Sequence, residues 1–379
     1  MRPRIRAFGT AVGLLAVVGM CLLLLGGNGT GGTLQTQLVL SASTPPATTL
    51  GVWNGSPGSI PNNQHPNVLN DYYYWGNQDF SFLAQSYSKG ATPFVEFEPW
   101  KGGGTSDCQN GLFASIASNN SSAVTYAKSF GSAVASLGKP VIFTFAHEMN
   151  IGGQYPWSTG NGCGVTASQW IQAWKNVVNN IKSTANGFAY SMWAPNVDPN
   201  GNDTGAAKYW PGPGTVDMTG VDGYPAFCSC GGTFGDIYGG TFKEIQGLSG
   251  FGSLPRTQIF ISETDNAPLG SGGFESTTNF IKDMCAAGGD GFLQFQDGTP
   301  AMSNTQWSDS VAALAKYCSA PTPAPTPTQS TTAPAPTPTA PTPSQTSSGG
   351  SCPTATATVT VTASAASWSR DWDHDGDAR

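Results

Sequence analysis

Histidine is almost missing from this chain: there are three in 379 residues, His65, His147 and His374. A zinc site built on three histidines of one globular region is thereby excluded. A Ser-His-Asp triad would have to use His65 or His147 without a G-x-S-x-G elbow to present its serine. Charge is thin as well. Charged residues make up 10% of the chain, the net charge is -7 and the pI is near 4.8, a balance that suits no polyanionic partner such as nucleic acid. Glutamate occurs six times, as Glu96, Glu98, Glu148, Glu244, Glu263 and Glu275. No G-x-G-x-x-G turn follows the first expected strand, which removes the commonest use of an open doubly wound sheet.

Glycine, proline and tryptophan are plentiful, at 49, 28 and 11 residues. Arg2, Arg4 and Arg6 precede an apolar run from about Ala11 to Leu25, short for a spanning helix. Residues 1–43 therefore read as an export signal and N-terminal segment of a secreted protein without a membrane anchor in its mature form, a retained anchor being the alternative. Six cysteines (Cys108, Cys163, Cys228, Cys230, Cys285 and Cys318) fall in the globular region, which agrees with export and disulfides. Cys285 lies in an expected helix and Cys318 closes the last one, so neighbouring barrel helices predict a Cys285–Cys318 bridge. Cys108 and Cys163, in loops after strands, are the second expected pair.

Residues 320–350 are rich in Pro and Thr and read as an extended linker. Residues 351–379 are too short for a domain without staples and read as a disordered acidic tail. Asp371, Asp373, Asp375 and Asp377 match only the first half of a calcium loop, since the twelfth-position glutamate would lie beyond Arg379. No metal or cofactor is expected.

Between residues 44 and 319, short apolar runs alternate with amphipathic segments. The runs at Thr49–Asn54, Thr92–Glu98, Val141–Ala146, Phe188–Ala194, Met218–Gly223, Gln258–Ser262 and Gly291–Phe295 read as strands. An eighth is expected between Trp100 and Lys139. Helices are expected at Ser121–Leu137, Ala167–Ser183 and near Trp307–Tyr317. About 275 residues of strand and helix, with strands apolar on both faces, predict an α/β fold, a (β/α)8 TIM barrel. Besides the run that ends at Glu98, the fourth strand stops at His147-Glu148 and the seventh at Glu263. Strand ends on the C-terminal face of a barrel hold the chemistry. Two carboxylates across such a cleft are the minimum equipment for cleaving a glycosidic bond.

Several segments in order, His147-Glu148-Met149-Asn150, Tyr155-Pro156-Trp157, Trp193-Ala194-Pro195-Asn196, Val221-Asp222-Gly223-Tyr224 and Ile261-Ser262-Glu263, resemble glycoside hydrolase family 26, clan A barrels that include secreted β-mannanases. The resemblance implies Glu148 as acid/base, Glu263 as nucleophile and His147 as the neighbour that holds the acid/base site in shape. It further implies Tyr224 as a hydroxyl donor beside the nucleophile and Trp157 on a sugar subsite, with Asn196 and Asp222 at the substrate. The family commonly has an arginine three residues before the histidine and a glycine after the asparagine, where this chain has Thr144 and Ile151. Loss of a fixed positive charge alters the electrostatics of the carboxylates.

Trp170 and Trp174 have helical spacing and are expected in the core. Trp100, Trp157 and Trp210 follow strand ends or lie in loops, where indole faces can stack on sugar C–H faces. Glu98, ending a strand, is expected to bind substrate or support those groups that do. The expected protein is a monomeric endo-glycosidase acting on a β-linked plant-type polysaccharide; the family resemblance alone implies β-1,4-mannan ahead of glucan and xylan. A sugar-binding barrel without turnover is the alternative from another class.

Overall fold

In the computed structural model the apolar runs form eight parallel strands, hydrogen-bonded in chain order and closed into one barrel. The structure describes residues 45–46, 50–53, 64–100, 111–153, 155–159, 163, 165–197, 205–224, 232–265, 275–295 and 302–318. The export signal, the linker, the acidic tail, Cys108, Cys228 and Cys230 lie outside them. The strands are β1 (Leu50–Trp53), β2 (Val68–Tyr74), β3 (Thr92–Glu98), β4 (Val141–Phe145), β5 (Ala189–Trp193), β6 (Met218–Asp222), β7 (Ile259–Thr264) and β8 (Gly289–Phe295). Helices α1 (Ser81–Ser88), α2 (Leu112–Ala117), α3 (Ser121–Leu137), α4 (Ala167–Lys182), α5 (Phe234–Ile237), α6 (Gly239–Gln246), α7 (Thr277–Ala286) and α8 (Asn304–Tyr317) intervene.

The strand that the sequence conceals is β2, and it does not lie between Trp100 and Lys139. The described part of that interval is helical, as α2 and α3. Asn70 and Asp71 interrupt the apolar run of β2, and both are poor strand formers. Asn70 is nevertheless tolerated inside the barrel because its Nδ2 donates to Glu96 Oε1 at 2.8 Å. Helix starts follow ordinary capping: Thr166 with Gln169 and Ser303 with Gln306 form capping boxes ahead of α4 and α8. Trp170 and Trp174 are fully buried on α4, stacked 5.5 Å apart.

Strand alternation divides the interior into two cores and places the site above one of them. Val68, Phe94, Ile142, Met192, Met218, Phe260 and Leu293, one each from β2 to β8, form an apolar cluster separate from the larger core. The side chains between them on the same strands, such as Leu69, Val95, Phe143, Trp193 and Ile261, belong to the larger core with the helices. A period of two puts Asn70, Glu96, Thr144, Gly220 and Ser262 one step further along the inward face. The barrel is thus plugged by hydrocarbon and turns polar toward its C-terminal end.

The outer shell is tight where α3 meets α4. A Cβ on Gly131 of α3 would overlap Thr184 Oγ1 and the carbonyl oxygen of Ile181. Cys285 on α7 and Cys318 after α8 form the expected disulfide, with Cα atoms 5.1 Å apart. Cys163 is also disulfide-bonded; Cys108, the partner expected for it, lies outside the described residues. For Gly131→Ala, the roughly 1 kcal/mol gained in helix propensity is opposed by an overlap with backbone that costs typically about 1–3 kcal/mol, occasionally more. The variant should melt below the wild type by calorimetry. An unchanged or higher melting temperature would show that α3 and α4 separate without cost.

Candidate active site

The β4 strand does not simply end at Phe145. Ala146 and Glu148 both take left-handed backbone conformations, with φ of 55° and 50°. Such values are uncommon outside glycine and are held only where the surroundings over-determine them. The chain is held here by Ala146 N donating to Phe97 O (2.9 Å), Glu148 N donating to Ala194 O (2.9 Å) and Ile151 N donating to Glu148 O (3.0 Å). His147 and Glu148 are consequently buried at the mouth of the barrel, 2% and 3% exposed.

Each glutamate has its own neutral donors. Glu148 Oε2 accepts from the Tyr155 hydroxyl at 2.8 Å, and Glu148 Oε1 accepts from Asn196 Nδ2. Asn196 is fixed in turn by Asn150, whose Nδ2 donates to Asn196 O at 2.7 Å and whose Oδ1 accepts from Asn196 N at 2.9 Å. Glu263, on β7, accepts from Tyr72 at Oε1 (2.5 Å) and from Tyr224 at Oε2. Burial, then the adjacent carboxylates, pushes the phenols of Tyr72, Tyr155 and Tyr224 well above the ordinary range, so all three remain donors.

Burial likewise raises the carboxyls of Glu96 and Asp222, with Glu263 adding repulsion to each. Glu98 is pushed up to about 8, mainly by burial, against the opposing hydrogen bond from Trp100 Nε1 at 3.0 Å. Among the described residues, the ion pairs of lysine and arginine are Lys182–Asp217 and Arg256–Asp290, and neither involves these groups.

The sequence expectations meet this geometry unevenly. Glu148, Glu263, His147, Tyr224, Asn196, Glu98 and Trp100 come together at one barrel mouth. Trp100 is partly exposed and packs edge-on against Tyr155 at 6.2 Å. Three expectations are corrected. Trp157 is fully buried, stacked at 4.5 Å on Tyr155 and donating to His147 O at 2.7 Å, so it braces the site from behind instead of facing a sugar. Trp210 packs on Trp193, which is part of the sheet–helix core, and donates to Ser249 O at 2.9 Å, so it lies outside the barrel wall. Asp222 is fully buried and accepts from Ser262 Oγ at 2.5 Å, a support beneath the site.

Sequence reasoning missed Tyr72, Tyr155 and Glu96 as site residues. The Tyr-Pro-Trp segment carried a signal for Tyr155. Tyr72 and Glu96 had none once β2 was overlooked, because their roles depend on β2 lying beside β3.

A buried carboxylate at each of two strand ends, on a closed parallel barrel, with aromatic surface beside one of them, defines the class: a barrel equipped as a glycosidase. The sequence model of the family described as glycosyl hydrolase family 26 matches residues 91–282, just over half of the chain, and the chain belongs to that family. A curated relative, Endoglucanase H of Acetivibrio thermocellus, is 27% identical over 164 residues, 41% of this chain and 17% of that protein, so the match spans a small part of that relative's length. Among solved structures, an endo-β-1,4-mannanase double mutant from Cellulomonas fimi aligns over 72% of this chain and 71% of that one, with 14% identity and a TM-score of 0.50. A GH26 β-mannanase from Bacteroides ovatus aligns over 73% of this chain and 89% of that one, again with 14% identity and a TM-score of 0.50. At such identity the two structures are evidence of shared fold.

Glu98 gives the site a pH signature in stability. Its folded carboxyl titrates near 8 and its ordinary value is 4.5, so between those values the folded state binds the extra proton. Stability from this group is therefore full below about pH 4.5 and is lost as the pH rises toward 8. Glu98→Gln should melt with a smaller loss between about pH 5 and pH 8 than the wild type. Parallel melting curves across that window would refute the assignment of the proton to Glu98.

Proposed function

We propose that this protein is a secreted retaining endo-glycosidase that hydrolyses a β-linked plant-type polysaccharide, β-1,4-mannan foremost. The observation that carries the reading is the pair Glu148 and Glu263, at the ends of β4 and β7, each gripped by its own set of neutral donors. Glu148 acts as acid and then base. In the first step it protonates the departing glycosidic oxygen while Glu263 attacks the anomeric carbon and forms a covalent glycosyl-enzyme. In the second, Glu148 takes a proton from water, which attacks the same carbon and releases Glu263. The two tyrosine hydroxyls, one on each oxygen of Glu263, hold the carboxyl group in place for attack.

Both structural neighbours are mannanases, which favours mannan. A glucan reading has one specific support, the name of the curated relative. Residues 44–319 are the catalytic domain in this reading and residues 320–350 tether the short tail; the protein works as a monomer. Reducing-sugar release on mannan, mixed-linkage glucan and xylan ranks the substrates, and release from none of them overturns the reading.

The two roles separate by rescue chemistry. Glu263→Ala should lose activity by several orders of magnitude. Azide should restore part of it by attacking from the vacated face, giving a glycosyl azide of the opposite anomeric sense to the natural product. Glu148→Ala should retain far more activity on aryl glycosides with acidic phenols, which leave with little protonation, and azide should give a product of unchanged sense. An exchange of these outcomes would reverse the assignment.

A further inference from the structure

Glu96 takes no part in the chemistry above, yet it is fully buried inside the barrel beside the nucleophile. Its Oε1 accepts from Asn70 Nδ2 at 2.8 Å. Among the described residues its Oε2 has no hydrogen-bond partner and faces His147 Nδ1 at 3.5 Å, a nitrogen that has none among them either. The other ring nitrogen, Nε2, faces Glu263 Oε1 at 4.0 Å. Ligand atoms of Glu96, His147 and Glu263 all lie within 4.8 Å of one another. The nearest approaches pair each carboxyl with a different nitrogen of one imidazole, Nδ1 with Glu96 and Nε2 with Glu263. The arrangement is a chain of polar groups.

Counting protons defines its state. Glu263 must be ionised to attack, so the Nε2 that faces it must carry hydrogen, because two acceptors in apposition repel. Nδ1 then either carries a second hydrogen, as imidazolium against the Glu96 carboxylate, or accepts one from a neutral Glu96. The two arrangements hold equal numbers of protons and differ in whether charge is separated inside the barrel. Burial first, then Glu263 on β7, Asp222 on β6 and Glu98 on β3, acts against a negative Glu96, and for His147 burial outweighs the pull of the Glu263 carboxylate toward the charged form. The other faces of the imidazole meet the rings of Tyr72, Tyr155 and Trp157, at 5.9, 5.5 and 6.0 Å, which bring no charge.

We propose that Glu96 is a positioning residue for the nucleophile: as a neutral carboxylic acid it donates to His147 Nδ1 and so fixes the tautomer whose Nε2–H points at Glu263. Asn70 holds the acid's other oxygen and sets its orientation. The 3.5 and 4.0 Å gaps are longer than hydrogen bonds, and catalytic contacts of this kind tighten when substrate is bound. An N–H directed at a carboxylate favours its ionised form, so the acid limb of activity depends on a residue that never touches substrate. The inference rests on Glu263 being the nucleophile.

Two measurements test it. In long-range nitrogen–proton spectra of the full chain labelled at histidine, assigned through replacement of His65 and His374, His147 should be a neutral imidazole protonated at Nε2 from about pH 5 to about pH 8. An imidazolium signature would overturn the proposal, and so would an Nδ1–H tautomer, which would mean that Glu96 directs its proton elsewhere. In kinetics, Glu96→Gln places an amide N–H where the acid proton was. It should keep kcat/KM within about threefold of wild type with the acid limb unmoved. Glu96→Ala should lose roughly tenfold or more in kcat/KM and shift the acid limb to higher pH. Equal losses in both variants, or an unmoved acid limb in Glu96→Ala, overturn the proposal. Should Glu96→Ala not fold, the Glu96→Gln profile and the spectra decide. Glu263→Ala run in parallel separates the two levels: if it stays active, the nucleophile assignment fails, and if it is inactive while the Glu96 results go the wrong way, only the role of Glu96 fails.

Discussion

The organising constraint of this molecule is the burial of several carboxyl groups in one barrel mouth. Glu96, Glu98, Glu148, Asp222 and Glu263 are all buried, and no lysine or arginine pairs with them among the described residues. An unpaired buried charge is costly, and the chain meets that cost with neutral donors and with protonation. Tyr72 and Tyr224 serve Glu263, Tyr155 and Asn196 serve Glu148, Ser262 serves Asp222, and Trp100 serves Glu98. Burial pushes Glu96, Asp222 and Glu98, each with one side-chain donor among the described residues, toward the neutral acid. A low overall content of charge and a high content of Tyr, Trp and Asn are one property seen at two scales.

The barrel makes this arrangement possible because its interior is layered. Seven apolar side chains close the lower interior, so the polar groups above them are shut off from below by hydrocarbon. Gly220 matters here: a Cβ would strike Ser262 Oγ and crowd Met192, and Ser262 is the donor that holds Asp222. The space left by one absent methyl is thus occupied by a hydroxyl aimed at a buried carboxylate. Thr144, beside Glu96 in the β3–β4 register, is also buried and brings no charge.

How much of this was legible in the sequence depended on whether a signal was local. Strands ending in glutamate can be read directly, because a β-branched and aromatic run that stops at a carboxylate is a local pattern, and β3, β4 and β7 all show it. The helix Ser121–Leu137 was equally plain, with apolar positions on one face and Asn120 as its N-cap. β2 was not, since Asn70 and Asp71 suit a loop by propensity and are tolerated in a strand only through a neighbour that the one-dimensional pattern does not reveal. Overlooking β2 also concealed Tyr72. The tryptophans failed for the opposite reason. Position after a strand end suggested exposure for Trp157 and Trp210, but packing buries the first behind Tyr155 and turns the second toward the outer core.

The end of β4 shows why a strand should stop in charge at all. A strand that continued past Phe145 would send alternate side chains into the barrel and the helix layer, and neither place can present both His147 and Glu148 at the mouth. Left-handed conformations at Ala146 and Glu148 break the alternation within three residues, at a cost on the order of 1–3 kcal/mol each. The surroundings meet that cost at almost every polar group of the turn. Phe97 O takes Ala146 N, Ala194 O takes Glu148 N, Trp170 Nε1 donates to Ala146 O at 3.2 Å, and Trp157 Nε1 donates to His147 O. Two of the buried tryptophans are therefore the clamps of the turn that aims Glu148, and the abundance of tryptophan serves backbone geometry at this site.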